Sequence, residues 1–215
     1  MKFVTCWFAV AMLHAADANL LQTGRFLYRT TIDGKDAGAS EIAICHPEGS
    51  NFVFTNHVTG AFVQQWEAIA GASFLPVSAK LTFGDGRAGF ELKYRNGRVT
   101  GFKGPKKVDA EIPPDTVDQR IDWAAAMARD LAAGSEFAFH VYDPVLGISP
   151  VTGKISGPES VHVPAGTFEA MRIVYRIEKA GRPEVYQVLT KRSGLRTLLK
   201  EEFPDGAVTE LLEIH

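Results

Sequence analysis

The chain has little cysteine, no excess of basic residues and no long hydrophobic run. Its two cysteines are Cys6 and Cys45, and Cys6 lies in a predicted leader, so the remaining chain has no internal disulfide. The 23 Lys and Arg residues are balanced by 25 Asp and Glu residues, giving a net charge of −2. This balance argues against a nucleic-acid partner, which needs a basic face. Beyond the leader, no stretch approaches the roughly 20 apolar residues of a transmembrane helix.

Motifs of the common catalytic and metal sites are also missing. There is no Gly-x-Ser-x-Gly nucleophile elbow, and the glycine-bearing turns do not open helices as a phosphate-binding loop requires. The histidines are dispersed, without the close spacing of zinc ligands. The sequence therefore predicts no metal, no cofactor and no established catalytic residue. Cys45 ends the apolar run 42–45, so we expect a packed thiol rather than a reactive one.

The first eighteen residues have the pattern of a signal peptide. Lys2 supplies a positive start, residues 3–13 form an apolar run, and Ala16 and Ala18 offer the small residues that a signal peptidase reads. The run is too short to span a bilayer. We predict a leader over residues 1–18 and export to the periplasm or cell envelope. A cut after Ala16 and a buried first strand are the alternatives.

Most of the remaining chain alternates apolar and polar residues with a period of two. Residues 168–178 are the clearest case, because apolar and charged side chains take turns along the whole segment. Short turn signals separate such segments, among them Asp33-Gly34, Asn96-Gly97 and Asp205-Gly206. Roughly a dozen short strands with tight turns predict an antiparallel meander. Residues 104–114, polar and proline-bearing, are expected to be a connector.

One stretch, residues 116–133, has the periodicity of a helix. Thr116 and Gln119 have the spacing of a capping box, and Gly134 provides a stop. Its apolar positions cover about half of the helix circumference, more than the stripe of a surface helix needs. Because almost everything around it is predicted to be strand, we expect this helix to lie in a concave sheet. The predicted fold is therefore mainly β: one domain, residues 19–215, forming a curved sheet or incomplete β-barrel closed by one central α-helix.

A hairpin in the second half of the chain resembles a known family. Residues 160–174 include the turn Pro164-Ala165-Gly166-Thr167-Phe168, and residues 201–210 form a second, terminal hairpin. Together with the order of the strands and helix, they are similar to the exported domain of unknown function 3108 family. The resemblance implies a half-barrel shaped like the periplasmic lipoprotein carriers LolA and LolB. It implies no catalytic residues.

Aromatic side chains on the predicted strands suggest a cavity inside the half-barrel. We expect Trp123 and Met127, on the flank of the helix, at its opening. The residues predicted to bind a hydrophobic ligand are Trp123, Met127, Trp66, Phe62, Tyr28 and Tyr94. A packed core would show the same alternation, so this pattern leaves open whether the interior is filled.

Three functions fit these observations. The first is a non-enzymatic exported protein whose half-barrel binds a lipid, another hydrophobic ligand or an envelope partner. The second is a structural or interaction module with a solid core and an exposed apolar face. The third is a hydrolase using His140 with Asp122 or Asp143, which requires these side chains within hydrogen-bond reach of each other in a pocket.

Overall fold

The computed structural model describes residues 15–60, 63–179 and 182–215. Residues 1–14 of the predicted leader lie outside the described part of the chain. Its last residues belong to the folded domain, since Ala16 and Ala18 are buried in the core. The backbone N–H of Asp17 donates to the Ala128 carbonyl, and that of Ala18 donates to the Ala72 carbonyl. Cleavage after Ala18 therefore stays a prediction, and it would remove a segment that contributes to packing.

The described chain folds into fifteen strands and one short helix. The strands are β1 (Gly24–Ile32), β2 (Lys35–Cys45), β3 (Phe52–Gly60), β4 (Gln64–Ala70), β5 (Pro76–Phe83), β6 (Ala88–Arg95), β7 (Arg98–Lys103), β8 (Lys106–Glu111), β9 (Thr116–Asp118), β10 (Glu136–Asp143), β11 (Gly147–Val163), β12 (Gly166–Lys179), β13 (Arg182–Lys191), β14 (Leu198–Glu202) and β15 (Ala207–Ile214). The helix, α1, spans Asp122–Met127.

All fifteen strands belong to one curved, open sheet. Its order runs from β8 through β1 at the centre, where β15 joins, to β9 at the far end. Every neighbouring pair is antiparallel except β9 and β10. Only four residues separate the end of β8 from the start of β9, a reach of roughly 18 Å. The two ends of the sheet must therefore approach each other, which confirms the predicted incomplete barrel.

The turns form where the dipeptide signals predict them. Asp33 and Gly34 both have positive φ, as do Asn96 and Gly97, so each pair makes a two-residue hairpin turn. β14 and β15 likewise pair across Asp205-Gly206. The prediction of a connector over residues 104–114 was wrong. Within residues 104–114 lies β8, which pairs with β7 across a turn at Gly104.

The helix is much shorter than predicted. Residues 116–118 form β9 and pair with β10, so Thr116 caps no helix. Asp118 instead accepts from the backbone N–H of Arg120 and opens a 3₁₀ turn over residues 119–121. At the other end, the carbonyl of Ala128 accepts from Asp17, so it does not continue the helical pattern. Tertiary hydrogen bonds at both ends therefore override the helical periodicity.

The core lies on the concave side of the sheet, around α1. All six residues of α1 are buried, including the charged residue Asp122. Aromatic side chains from the strands pack beneath it, with Phe26, Phe52 and Phe54 almost fully buried. Cys45 follows Ile44 on the opposite face of β2 and is exposed, so the prediction of a packed thiol was wrong.

Candidate functional site: the concave cleft

The side chains on the concave face of the sheet leave part of its interior open. A cleft of about 780 Å³ remains beside the 3₁₀ turn and the first residues of α1. It lies between β1–β5 on one side and β10 and β12–β15 on the other. Because side chains alternate along a strand, each strand contributes residues two positions apart, such as Thr30 and Ile32 from β1. The interior is therefore partly packed and partly open.

One side of the cleft, the neutral wall, carries no ionisable side chain among its described residues. It is formed by β1–β5, and Trp66 is its largest member. The wall consists of Thr30, Ile32, Ser40, Ile42, Asn56, Val58, Gln64, Trp66 and Leu81. These side chains would suit an apolar chain with a few hydrogen-bonding groups.

The opposite side, the charged wall, carries all the charged residues of the cleft. It also includes the aromatic side chains of Trp123, Tyr186 and Phe203. Its charged members are Arg120, Asp122, Asp143, Lys179, Glu201 and Asp205. Apart from Asp205, which lies in an exposed turn, these groups are half-buried or buried. Their pairing therefore decides what charge the cleft presents.

Arg120 links the entrance of α1 to the rim of the cleft. Its Nε donates to Asp118 Oδ1 at 2.5 Å and its Nη1 to Asp143 Oδ2 at 3.0 Å. Asp143 also accepts from the backbone N–H groups of Val145 and Leu146, which shapes the turn between β10 and β11. Burial alone would lower the pKa of Arg120, but Asp118 and Asp143 raise it above the usual value. Arg120 therefore stays protonated, and its guanidinium is already paired with Asp118 and Asp143.

The same ionic link holds an apolar rim at the mouth of the cleft. Val145 and Leu146 are 64% and 49% exposed, and both line the cleft. Ile32 lies at the opposite rim and is also exposed. Exposed aliphatic side chains at the entrance of a cavity are typical of sites that receive apolar molecules.

Asp122 and Glu201 form a buried pair of carboxyls on the charged wall. They are 5% and 6% exposed, and the negative charge of Asp122 acts on Glu201. Burial raises the pKa of Asp122 to about 7, although the Trp123 backbone N–H, at 2.6 Å, opposes this shift. Burial and then the charge of Asp122 raise the pKa of Glu201 well above its usual value. Burial therefore favours the protonated form of both carboxyls.

The Tyr175 hydroxyl is 1% exposed and serves the two carboxyls as a hydrogen-bond donor, which lowers the pKa of Glu201. On the neutral wall, Asn56 Oδ1 has no hydrogen-bond partner among the described residues.

Lys179 is ion-paired with a neighbouring acid. Its ammonium forms an ion pair with Glu184, and the Tyr186 hydroxyl donates to the same carboxylate at 2.7 Å. Tyr186 also stacks on Tyr175, with ring centroids 5.2 Å apart. Arg120 and Lys179, the two cations of the charged wall, therefore form their ion pairs with acids other than Asp122 and Glu201, although the charge of each also lowers the pKa of Asp122.

The structure brings together two of the six residues predicted to bind a ligand. Trp66 and Trp123 line the cleft from opposite walls. Three others lie in the core: Met127 is fully buried, the Tyr28 hydroxyl donates to the Leu198 carbonyl, and the Tyr94 hydroxyl donates to Asp118. Phe62 lies outside the described residues. Met127 therefore packs beneath the cleft rather than at its opening.

His140 does not hydrogen-bond to either acid proposed for a hydrolase. Its Nδ1 lies 2.8 Å from Asp115 Oδ1, in a pair that is largely exposed. Asp143 is occupied by Arg120 and by two backbone N–H groups. Asp122 interacts with the Trp123 backbone, and its nearby charges are Arg120, Lys179 and Asp118. The hydrolase hypothesis thus gains no support from these contacts.

Sequence reasoning missed the charges that matter most in the cleft. On the predicted helix Arg120 falls between Met127 and Leu131, inside the apolar arc, and Glu201 belongs to a terminal hairpin that alternates like any exposed strand. One signal was present for Glu201, since Glu201-Glu202 places a carboxylate on each face of β14. The described residues contain no group of three His, Cys, Asp or Glu side chains that could hold a metal ion. No helix among them is long and apolar enough to cross a membrane.

Comparison with known proteins identifies the family but no function. A β-barrel-like protein of domain of unknown function DUF1849 from Brucella abortus has a TM-score of 0.60 at 12% identity, covering 91% of this chain and 98% of that one. A candidate exported protein with a YmcC-like fold from Bacteroides fragilis has a TM-score of 0.43 at 12% identity, covering 94% and 99%. A candidate lipoprotein from Parabacteroides distasonis has a TM-score of 0.39 at 13% identity, with the same coverage.

The first of these similarities supports the incomplete barrel as a fold. No protein of curated function matches the sequence. The family model for proteins of unknown function DUF3108 matches residues 27–213, from β1 to β15 and thus the whole sheet. The chain therefore belongs to the DUF3108 family.

Proposed function

We propose that this protein binds an amphiphilic ligand in the concave cleft, as a carrier or receptor of the cell envelope and without catalysing a reaction. The cleft itself is the observation that carries the proposal. Its volume of about 780 Å³ falls in the range of small-molecule sites, and apolar side chains dominate one wall and the rim. A folded core around α1 supports the cleft on a fixed frame, as expected for a preformed site.

Location in the cell envelope rests on the predicted leader. A cleft that shields apolar chains from water would serve there, where lipids must cross an aqueous space between membranes. LolA and LolB illustrate that use for a half-barrel, and a similar role is part of this proposal.

The test is whether the protein retains a ligand when it is purified. The full chain, expressed with its own leader and recovered from a periplasm, is analysed by native mass spectrometry and by solvent extraction of bound lipids. We expect an adduct with the mass of an amphiphile. A protein that emerges without adduct and binds no decyl-chain amphiphile in later titrations would contradict the proposal.

A matched pair of variants locates the ligand. Val58→Trp fills the cleft from the neutral wall, whereas Val53→Trp places the same side chain on the other face of β3. We expect the adduct to disappear from the first variant and to remain in the second. Equal retention by both would place the ligand outside the cleft.

An interaction module is the second candidate, favoured by the exposed side chains of Val145, Leu146 and Ile148 around the β10–β11 turn. In that case the same preparation would carry no adduct. Pull-down from envelope extracts would then recover a partner with the parent chain and not with Leu146→Ser.

A further inference from the structure

We propose that the mouth of the cleft docks onto an anionic lipid surface, through exposed apolar side chains and a lysine-bearing turn. This inference rests on the proposed function, because it names the surface with which the cleft would exchange its ligand. Binding to lipid vesicles can be measured with no ligand in the cleft, so the two proposals can fail separately.

Seven pairs of described strands meet in hairpins at the mouth of the cleft. Along the sheet these pairs are β7–β8, β5–β6, β3–β4, β1–β2, β14–β15, β12–β13 and β10–β11. All of them are antiparallel, and alternate hairpins of an antiparallel series turn at the same end of the sheet. Val145 and Leu146, in the β10–β11 turn, line the cleft at this end. The β4–β5 and β13–β14 connections therefore lie at the opposite end.

Large apolar side chains are exposed at three of the turns around the mouth. Phe83, at the β5–β6 turn, is 41% exposed, and Phe102, at the β7–β8 turn, is 58% exposed. Together with Val145 and Leu146 we call them the mouth patch. Phe83 is the cross-strand partner of Gln64, which lines the cleft, so Phe83 lies on the same face of the sheet at its rim.

The three turns border the same side of the mouth, although β8 and β9 are not paired with each other. Tyr94 of β6 packs edge-on against Tyr142 of β10, with ring centroids 6.2 Å apart. The Arg120 guanidinium lies 4.6 Å from the centroid of the Phe90 ring and donates to Asp143 beside the β10–β11 turn. Strands β6 and β10 are therefore adjacent across the open side of the barrel.

The β7–β8 turn supplies positive charge to this surface. Between Phe102 and the end of the turn lie Lys103, Lys106 and Lys107, without an acid. Lys107 is the cross-strand partner of Phe102, which places an ammonium beside the exposed ring. Within the described part of the chain, Lys103 and Lys106 form no ion pair.

The acids around this turn offset only part of its charge. Asp109 lies 3.9 Å from the Lys107 ammonium but is paired more closely with Arg98, at 2.8 Å. Asp85, in the β5–β6 turn, is paired with Arg87. Glu91, across the strand pair from Phe102, offsets one of the three lysines. The turn therefore keeps a net positive charge, which complements a surface of lipid phosphates.

Exposed rings beside lysines are typical of a membrane-surface contact. The apolar side chains enter the boundary between head groups and acyl chains, while the lysines reach the phosphates along their alkyl stems. A protein interface would contain fewer lysines, because lysine is depleted there. The cleft adds a reason, since a ligand chain would pass from the bilayer along Phe83 and Leu81 to Trp66 without crossing water.

Flotation with lipid vesicles tests the docking. The protein, expressed with its own leader and recovered from a periplasm, is mixed with vesicles of phosphatidylcholine alone or of phosphatidylcholine and phosphatidylglycerol in equal parts. We expect binding to the anionic vesicles and about tenfold weaker binding to the neutral ones. Binding to the anionic vesicles should fall as the salt concentration is raised.

Matched substitutions locate the contact. Phe102→Ser should weaken binding to anionic vesicles about tenfold, whereas Leu195→Ser removes a similarly exposed side chain from the opposite end and should not. Lys106→Gln should weaken binding about fivefold. Lys93→Gln, at an exposed position in the middle of β6, should change it little. Urea unfolding midpoints verify that each variant is folded, as expected for exposed positions.

The outcomes separate the docking from ligand binding. Equal flotation with both kinds of vesicle overturns the anionic surface, and no flotation with either overturns it in favour of a protein partner. Equal binding by Phe102→Ser and Leu195→Ser places any membrane contact elsewhere in the chain and also overturns the proposal. A protein that binds decanol but no vesicle contradicts the docking alone, whereas one that binds vesicles but no amphiphile contradicts the proposed function alone.

Discussion

The two walls of the cleft are made by the two halves of one sheet, yet only one of them carries charged side chains. β1–β5 contribute nine lining residues without an ionisable group, whereas all six charged lining residues come from residues 120–205. Both walls follow the same alternation of strand side chains. The halves differ in what they pack against: α1, which carries Asp122, contacts β9, β12 and β13 of the second half, whereas the 3₁₀ turn with Arg120 contacts both β4 and β10.

Among these changes, removal of the Arg120 guanidinium from the charged wall should destabilise the protein most. Arg120→Leu leaves the fully buried Asp118 without its ion pair and frees Asp143 from the rim. We expect a loss of about 3–5 kcal/mol in the free energy of unfolding, measured with urea. Lys80→Leu, which breaks an exposed pair with Glu67 beside the neutral wall, should change it little. Similar unfolding midpoints for the two variants would contradict the central role of Arg120.

The carboxyl pair should make stability depend on pH. The pKa of Asp122 in the folded protein, about 7, lies above its value in the unfolded chain, near 4. Its stabilisation is therefore complete below about pH 4 and is lost as the pH rises through about 7. Relative to Asp122→Asn, the parent protein should lose about 2–4 kcal/mol in unfolding free energy between pH 4 and 8. Urea titrations at each pH measure the difference in unfolding free energy between the parent protein and the variant. A difference that does not change with pH would mean that Asp122 has the same pKa in the folded and unfolded states.

A charge placed on the neutral wall should weaken binding without unfolding the protein. Val58→Glu introduces a carboxylate where we expect the apolar chain, at a half-buried position of β3. The affinity for decanol should fall about tenfold, equivalent to about 1.4 kcal/mol. Val58→Gln, of similar size and uncharged, should have a smaller effect. Calorimetric titration of both variants shows whether charge or shape matters, and equal losses would point to shape.

The rim should influence the rate of entry more than stability. Leu146→Ser removes an exposed aliphatic side chain at the mouth of the cleft. The unfolding free energy should change by less than about 0.5 kcal/mol, as is usual for exposed positions. Stopped-flow Trp fluorescence should show slower association of decanol. Leu195→Ser is the control, because Leu195 is equally exposed but is not part of the cleft.

The sequence predicted the sheet better than the site. Tight turns such as Asn96-Gly97 fix strand ends locally, so the meander could be read from short segments. The single strand β11 is harder to recognise, because a bulge between Ile155 and Gly157 interrupts its alternation without ending the strand. The site depends on distant contacts. Glu201 meets Asp122 only because β14 lies across the concave face from α1, and no local pattern encodes that approach.

The pairing of β1 with β15 has a consequence for how the chain must fold. The first and last strands lie side by side at the centre of the sheet, so Thr30 contacts Thr209 across nearly the whole sequence. The central seam can close only after the C-terminal hairpin is available, and contacts of such high sequence separation form slowly. A chain without β15 would leave the edge of β1 unpaired. The topology therefore makes completion of the sheet wait for its last strand in sequence order.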